Sequence, residues 1–222
     1  MSLAKRILIT ITAVILTSGG ILAGKRVLPH IQTIKQPPRL VPDVQEGDII
    51  FQISTSDLSK AIQLATHSKY SHCGIIFKRD NEWYVYEAVQ PVCYTSLRQW
   101  IARGKSGHYV IKRLRNATAV LTPDVINRMK KTGEQFKGKD YDFYFGWSDE
   151  RIYCSELVWK IYKSATGLEI GKLQELQDFD LKSPEVKAQM KKIYGNNIPL
   201  SEKIISPISM FESPALVTVD SL

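Results

Sequence analysis

Cysteine and histidine are scarce in this chain, with three and four copies in 222 residues. Three cysteines cannot build a disulfide-held scaffold, and four scattered histidines lack the paired spacings of a zinc module. Internal repeats and low-complexity tracts are missing too, which excludes a collagen-like chain. Acidic residues are outnumbered, 22 against 30 lysines and arginines, for a net charge of +8 and a pI near 9.3. Half of that excess falls in residues 1–46 around an apolar segment, so it does not describe a basic face. The body offers only short pairs such as Lys130-Lys131 and Lys191-Lys192. Nucleic acid is therefore not an expected partner. With 44% apolar and 23% charged residues, the chain has the composition of a globular protein that buries a core. Disorder and a multi-span membrane protein are excluded.

What is present begins with ILITITAVILTSGGILAG, an uncharged run from Ile7 to Gly24 between Lys5-Arg6 and Lys25-Arg26. That layout predicts a secretory signal or an N-terminal membrane anchor over residues 1–26. No clear small-x-small cleavage site follows, which favours the uncleaved anchor. Either way the body is expected to be exported: periplasmic, or anchored in the inner membrane and facing outward. Residues 27–46 contain Pro29, Pro37, Pro38 and Pro42 without periodic patterning, and read as a linker. A single domain is expected over residues 47–222.

Within that domain DIIFQI reads as a buried strand, and Ser54-x-x-Asp57 as the start of a helix. Residues 71–78 and 83–89 alternate like the two strands of a hairpin around Arg79-Asp80-Asn81-Glu82, and 107–114 suggests a further strand. Thr122-Pro123 places a cap and a first-turn proline before a helix reaching about Phe136. Another helix starts near Cys154, after the aromatic loop YDFYFGW. The tail beyond Asn196, with Pro199, Pro207 and Pro214, is expected to wrap the surface. Strands and helices do not strictly alternate, which predicts an α+β fold with an antiparallel sheet packed against helices.

The candidate chemistry gathers at Cys154. Together with Leu157, Val158, Ile161, Tyr162 and Ala165 it marks the inward face of an amphipathic helix, in the first turn. There the unpaired N–H groups and the helix dipole favour an anion, first a thiolate and then an oxyanion. A buried, inert cysteine is the plain alternative, and a nearby base decides between the two. His72 opens the hairpin. With the turn at 79–82, Glu87 falls on a diagonal cross-strand position from it, within reach of a hydrogen bond that orients the imidazole. His67 reads as a helix-end residue. Alternation turns Cys73 away from the His72 face, and no role is assigned to it. A Cys73–Cys93 disulfide stays open, since sequence does not place their Cβ atoms.

At these residues, SKYSHCGIIF, YVYEAV and DERIYCSELVWKIY, the chain resembles the YiiX-type permuted papain-like cysteine hydrolases of the NlpC-type cell-wall peptidase superfamily. The likeness runs from Gly47-Asp48-Ile49-Ile50-Phe51 through the Tyr141-Asp142-Phe143 motif to SPISMF near the C-terminus. It implies a circularly permuted papain-like fold in which histidine, acid and cysteine follow one another along the chain. It also implies catalytic roles for His72, Glu87 and Cys154, and a possible oxyanion role for Tyr141, with a packing aromatic as the equal alternative. Glu156, which follows the cysteine in the family's Cys-Ser-Glu motif, is open to the simpler role of complementing the helix dipole.

The resulting expectation is a cysteine hydrolase that needs neither metal nor organic cofactor and acts on an amide- or ester-linked acyl substrate. An amidase or peptidase on cell-envelope material comes first. A lipid-directed acyl hydrolase or acyltransferase is the alternative, and a non-catalytic envelope binding module the third reading. A polar groove at Cys154 would favour the first, and an apolar tunnel the second.

Overall fold

A computed structural model describes residues 43–222. The signal or anchor expected at 1–26, and most of the linker expected at 27–46, lie outside the described residues. Among those described, no helix is long and apolar enough to cross a membrane.

Strand β1 (Ile49–Gln52) is buried along its whole length, as its apolar run predicts. Ser56, rather than Ser54, caps helix α1 (Asp57–Ala65), its hydroxyl accepting from the Ser59 amide at 3.1 Å. Strands β2 (His72–Arg79) and β3 (Glu82–Glu87) form the expected hairpin. Its turn is only two residues, Asp80 and Asn81, both at positive φ (47° and 65°). Short Asp and Asn side chains tolerate that left-handed backbone, which matches the twist of paired strands. Pairing from Arg79↔Glu82 to Ile75↔Tyr86 is the register the sequence predicts.

Strand β4 (Cys93–Ser96) then pairs with β3 and leads into helix α2 (Leu97–Arg103). Strand β5 (Tyr109–Leu114) pairs with the other edge of β1. After a short helix α3 (Ala117–Val120), helix α4 (Pro123–Glu134) starts with the expected Thr122 cap and first-turn proline. Helix α5 (Cys154–Thr166) follows and ends at Gly167, whose φ of 76° is the left-handed stop that glycine supplies without strain. The remaining chain forms β6 (Gln174–Glu175), α6 (Pro184–Tyr194), β7 (Lys203–Ile204), α7 (Pro207–Phe211) and β8 (Leu216–Ser221).

Six strands make one antiparallel sheet in the order β4-β3-β2-β1-β5-β8. The tail therefore does not merely wrap the surface: β8 closes the sheet beside β5, and α7 buries Met210 in the core. Its prolines mark boundaries instead of excluding structure, Pro207 occupying the first turn of α7 where no amide donor is needed. The class is α+β, as expected.

Strand alternation divides the core. On one face Phe51, Cys73, Ile75 and Phe77 meet Leu157, Val158 and Ile161 of α5, with α4 alongside. On the other, Ile50, Ile76, Val85 and Ile111 pack under Leu97 and Trp100 of α2. Burying each such aliphatic side chain stabilises the fold by about 1.5–3 kcal/mol. Gly133 lets α4 approach the sheet: the Tyr86 hydroxyl donates to its carbonyl at 2.6 Å, and a Cβ there would stand 3.0 Å from the Tyr86 ring.

Candidate active site

The hairpin supplies two of the three expected groups. His72 Nε2 lies 2.6 Å from Glu87 Oε2, with the imidazole almost buried and the carboxylate fully so. Gly74, which faces Glu87 in the register, makes this diagonal contact possible. A Cβ at position 74 would fall 2.4 Å from Val85 Cγ1, 2.9 Å from the Tyr86 carbonyl and 3.2 Å from Glu87 Cβ.

Glu87 accepts three further hydrogen bonds. Thr95 Oγ1 donates to Oε1 at 2.6 Å, while Trp100 Nε1 at 2.9 Å and Arg103 Nη2 at 2.5 Å donate to Oε2. Burial alone would raise its pKa, but the bonds and charges of His72 and Arg103 hold it at about 2. The carboxylate is thus charged and fixed, with the Trp100 ring stacked on His72 at 6.0 Å between centroids. Thr95, Trp100 and Arg103 were not legible as site residues, because they reach Glu87 only through the β3–β4 pairing and the placement of α2. The one available signal was that an interior carboxylate needs donors, and a Trp and an Arg follow within 16 residues.

The candidate nucleophile, Cys154, comes from the opposite side of the sheet. The loop before α5 is tied to its start by a bridge between Tyr141 and Ile152, with Asp142 N donating to Ile152 O and Ile152 N donating to Asp140 O, each at 3.2 Å. This brings Tyr141 beside Cys154. Asp142 shapes the loop by accepting from the amides of Tyr144 and Gly146 at 2.9 and 2.8 Å. Cys154 itself is 2% exposed.

Cys154 is held well below the ordinary thiol range by a hydrogen bond from the Cys73 thiol and by the charge and hydrogen bond of His72, against the opposing effect of burial. His72 responds in kind. Burial would lower its pKa, but the Cys154 thiolate and the Glu87 carboxylate bring it up to about 9. With Nε2 on Glu87, Nδ1 is the nitrogen left for the thiol. Burial and the neighbouring thiolate both push the Tyr141 hydroxyl up, so it stays a donor beside Cys154. The arrangement can hold a thiolate–imidazolium pair at neutral pH and offer donors to an oxyanion.

Cys73 corrects the sequence reading. It does point away from the His72 face, as alternation predicts, but α5 packs on the face to which it points, so its buried thiol adjoins Cys154. All three cysteines are free. Cys93 stands opposite Glu87 in the register, on the face away from Cys73, and a Cys73–Cys93 disulfide is not formed. Glu156 is fully buried, paired with Lys160 at 2.7 Å and accepting from the Tyr153 amide at 3.4 Å. Burial brings it up to about 8 despite Lys160, so it is more than a solvated complement to the helix dipole. His67 follows Thr66, the residue that caps the end of α1, and pairs with Asp180 at 3.3 Å, exposed to solvent.

Two cavities meet at this cluster. An apolar one of about 90 Å³ touches Cys154 and Ser155 and is walled by α1 (Leu58, Ala61, Ile62) and α6 (Val186, Met190, Ile193). A second of about 250 Å³ touches His72; most of its wall is apolar (Leu58, Ile62, Ala88, Val89 and Phe143), but Ser54, Ser56, Ser71, Gln90 and Arg103 bring polar groups into it. Leu58, Ile62 and Tyr141 belong to both walls.

With this geometry in view, comparison with known proteins places the chain. Residues 43–220 match the model of the permuted papain-like amidase enzymes of the YaeF/YiiX type, the C92 family. The chain is 51% identical over 175 residues to the uncharacterized protein YiiX of Escherichia coli K12, covering 79% of this chain and 85% of that protein. It also superposes on a crystal structure described as metalloprotein YiiX from Escherichia coli O157:H7. The TM-score is 0.77 at 50% identity, covering 80% of this chain and 97% of that one. A metal finds no obvious seat here: among the described residues no three His, Cys, Asp or Glu side chains gather as a ligand set. Matched by the family model over residues 43–220 and identical to YiiX at half of the aligned positions, this chain belongs to the permuted papain-like amidase family of the YaeF/YiiX type.

Proposed function

We propose that the protein is a thiol-dependent amidase acting on N-acylated compounds, with the acyl group in the cavity beside Cys154 and the amine in the one beside His72. The observation that carries this reading is the difference between the two cavities meeting at Cys154 and His72: the first is almost wholly apolar, and the second adds hydroxyls and the Arg103 guanidinium to its wall. In acyl transfer the nucleophile bonds to the acyl carbon, and the imidazolium must hand its proton to the leaving group. The acyl chain therefore belongs on the side that touches Cys154, where the walls are apolar. The leaving group belongs on the side that touches His72, where serine hydroxyls and Arg103 join the wall.

In this mechanism the Cys154 thiolate attacks the carbonyl carbon. The oxyanion takes hydrogen bonds from amides at the start of α5 and from the Tyr141 hydroxyl. His72 protonates the departing nitrogen, and the C–N bond breaks to leave a thioester on Cys154. Water, deprotonated by His72, then releases the acid. Glu87 keeps the imidazole oriented and stabilises its positive form. The same cavities would accept an ester, so a lipid-directed acyl hydrolase or transferase is the second reading, favoured by the apolar wall. A peptide cell-envelope substrate fits that wall less well. The uncharged segment Ile7–Gly24 would, as an export signal or anchor, deliver the domain outside the cytoplasm, near acylated envelope material.

The test is a series of N-acyl amides from acetyl to dodecanoyl, with mass spectrometry of Cys154 trapped at the thioester. The expected result is an acyl adduct on Cys154 and a kcat/KM that climbs with chain length. Replacing Ala61 by Phe should flatten that climb and spare the acetyl compound. A kcat/KM independent of chain length in the parent would overturn the acyl assignment.

A further inference from the structure

The cavity beside His72 carries a cation that the hydrolytic steps use only indirectly, through its bond to Glu87. Arg103, the last residue of α2, donates through Nη2 to Glu87, its one hydrogen-bond partner among the described residues. Its side chain nevertheless stays 44% exposed and lines the cavity beside His72. A guanidinium has five donors in a planar fork, so several remain for a ligand. Around it the wall supplies the hydroxyls of Ser54, Ser56 and Ser71, while the Gln90 amide is bonded to Asp140 and to the Tyr141 amide. Among the described residues no acidic side chain lines the space. Glu87, which balances the charge of Arg103, is fully buried behind it and already engaged at both oxygens.

We infer that this cavity recognises an anionic leaving group, a carboxylate or a phosphate, and that Arg103 is the residue that selects it. The inference rests on the proposed placement of the leaving group next to His72. A planar fork in a wall that also holds several serine hydroxyls matches the oxygens of either anion, whereas a neutral or cationic head would leave the free guanidinium donors unpaired. The cavity, at about 250 Å³, suits a small head such as an amino acid or a phosphoalkylamine.

The experiment uses the full chain with Cys154→Ser, so that binding is read without turnover, and three ligands sharing one acyl amide. These are N-dodecanoylethanolamine, which is neutral, its O-phosphate, and N-dodecanoylglycine. Titration calorimetry should show at least one anion binding about 10-fold or more tighter than the neutral compound, and the tighter of the two names the head group. Adding Arg103→Gln should bring the anions to parity with the neutral ligand, whose retained binding reports an intact cavity. If that variant fails to fold, the comparison within the Cys154→Ser protein decides alone. Anions that bind no tighter than the ethanolamide would overturn the inference. Turnover by the parent is scored separately. Failure to acylate Cys154 with any of the three would count against the amidase reading, while the binding preference stands or falls on the calorimetry.

Discussion

His72 and Cys73 are neighbours in sequence that act on the same sulfur, one through an imidazole oriented by Glu87 and the other through a thiol on the far face of the strand. Their contributions separate by pH. Glu87 raises the His72 pKa, so Glu87→Gln lowers it, and the alkaline fall of kcat/KM, expected near pH 9 in the parent, moves to lower pH. Turnover at neutral pH should drop about 10–1,000-fold, or about 1.4–4 kcal/mol of transition-state stabilisation. Alkylation of Cys154 by iodoacetamide should then require higher pH. Cys73→Ala removes the hydrogen bond to the thiolate and should shift the same alkylation profile upward while leaving the alkaline limb set by His72. Cys73→Ser, which keeps a donor, should restore much of it. Identical alkylation profiles for the Cys73→Ala protein and the parent would show that the neighbouring thiol does nothing for the nucleophile.

At the level of elements, the hairpin works because one of its positions is empty. Gly74→Ala would drive a Cβ into Val85 and the Tyr86 carbonyl, forcing β2 and β3 apart where Glu87 must reach His72. An overpacking cost of about 1–3 kcal/mol is expected in denaturant melts, with a loss of turnover larger than the loss of stability explains. A variant with the parent's midpoint and activity would remove Gly74 from this account. The hairpin register was legible because the polar turn Arg79-Asp80-Asn81-Glu82 stands between two strand-forming runs and fixes which residues face one another. The first turn of α5 was legible because its apolar positions recur at helical spacing. The partners of Glu87 were not, since Thr95, Trp100 and Arg103 depend on how β4 and α2 lie across β3. The adjacency of Cys73 and Cys154 was hidden for the same reason: alternation tells which face a side chain takes, not which helix covers it.

For the whole molecule, the α+β class and the order histidine, acid, cysteine could be read from the chain, whereas β8 could not. Its pairing with β5 spans about half the chain, and three prolines obscured it. The same long-range closure makes the buried charges a property of the complete fold. Glu87, held at about 2 against an ordinary 4.5, contributes stability that is present above pH 4.5 and lost as pH falls through 2. His72, raised from 6.5 to about 9, contributes stability that is present below pH 6.5 and lost as pH rises through 9. The Tm difference between the parent and Glu87→Gln should therefore be widest from pH 4.5 to 6.5 and narrow on both sides. A difference that stays flat from pH 2 to 9 would show that the pair adds nothing to the fold.

The His72–Glu87 contact spans 15 residues within one hairpin, while Cys154 enters from a helix made much later in the chain. Local contacts of this kind form early in folding and distant ones late. During synthesis the imidazole and carboxylate can meet well before the thiol docks, and until then Cys154 ionises like an ordinary cysteine, near pH 8.5. Reactivity thus arrives with the last stage of assembly. A nascent or unfolded copy carries a sluggish thiol, and the cell is not exposed to an activated nucleophile before the cavities that discipline it exist.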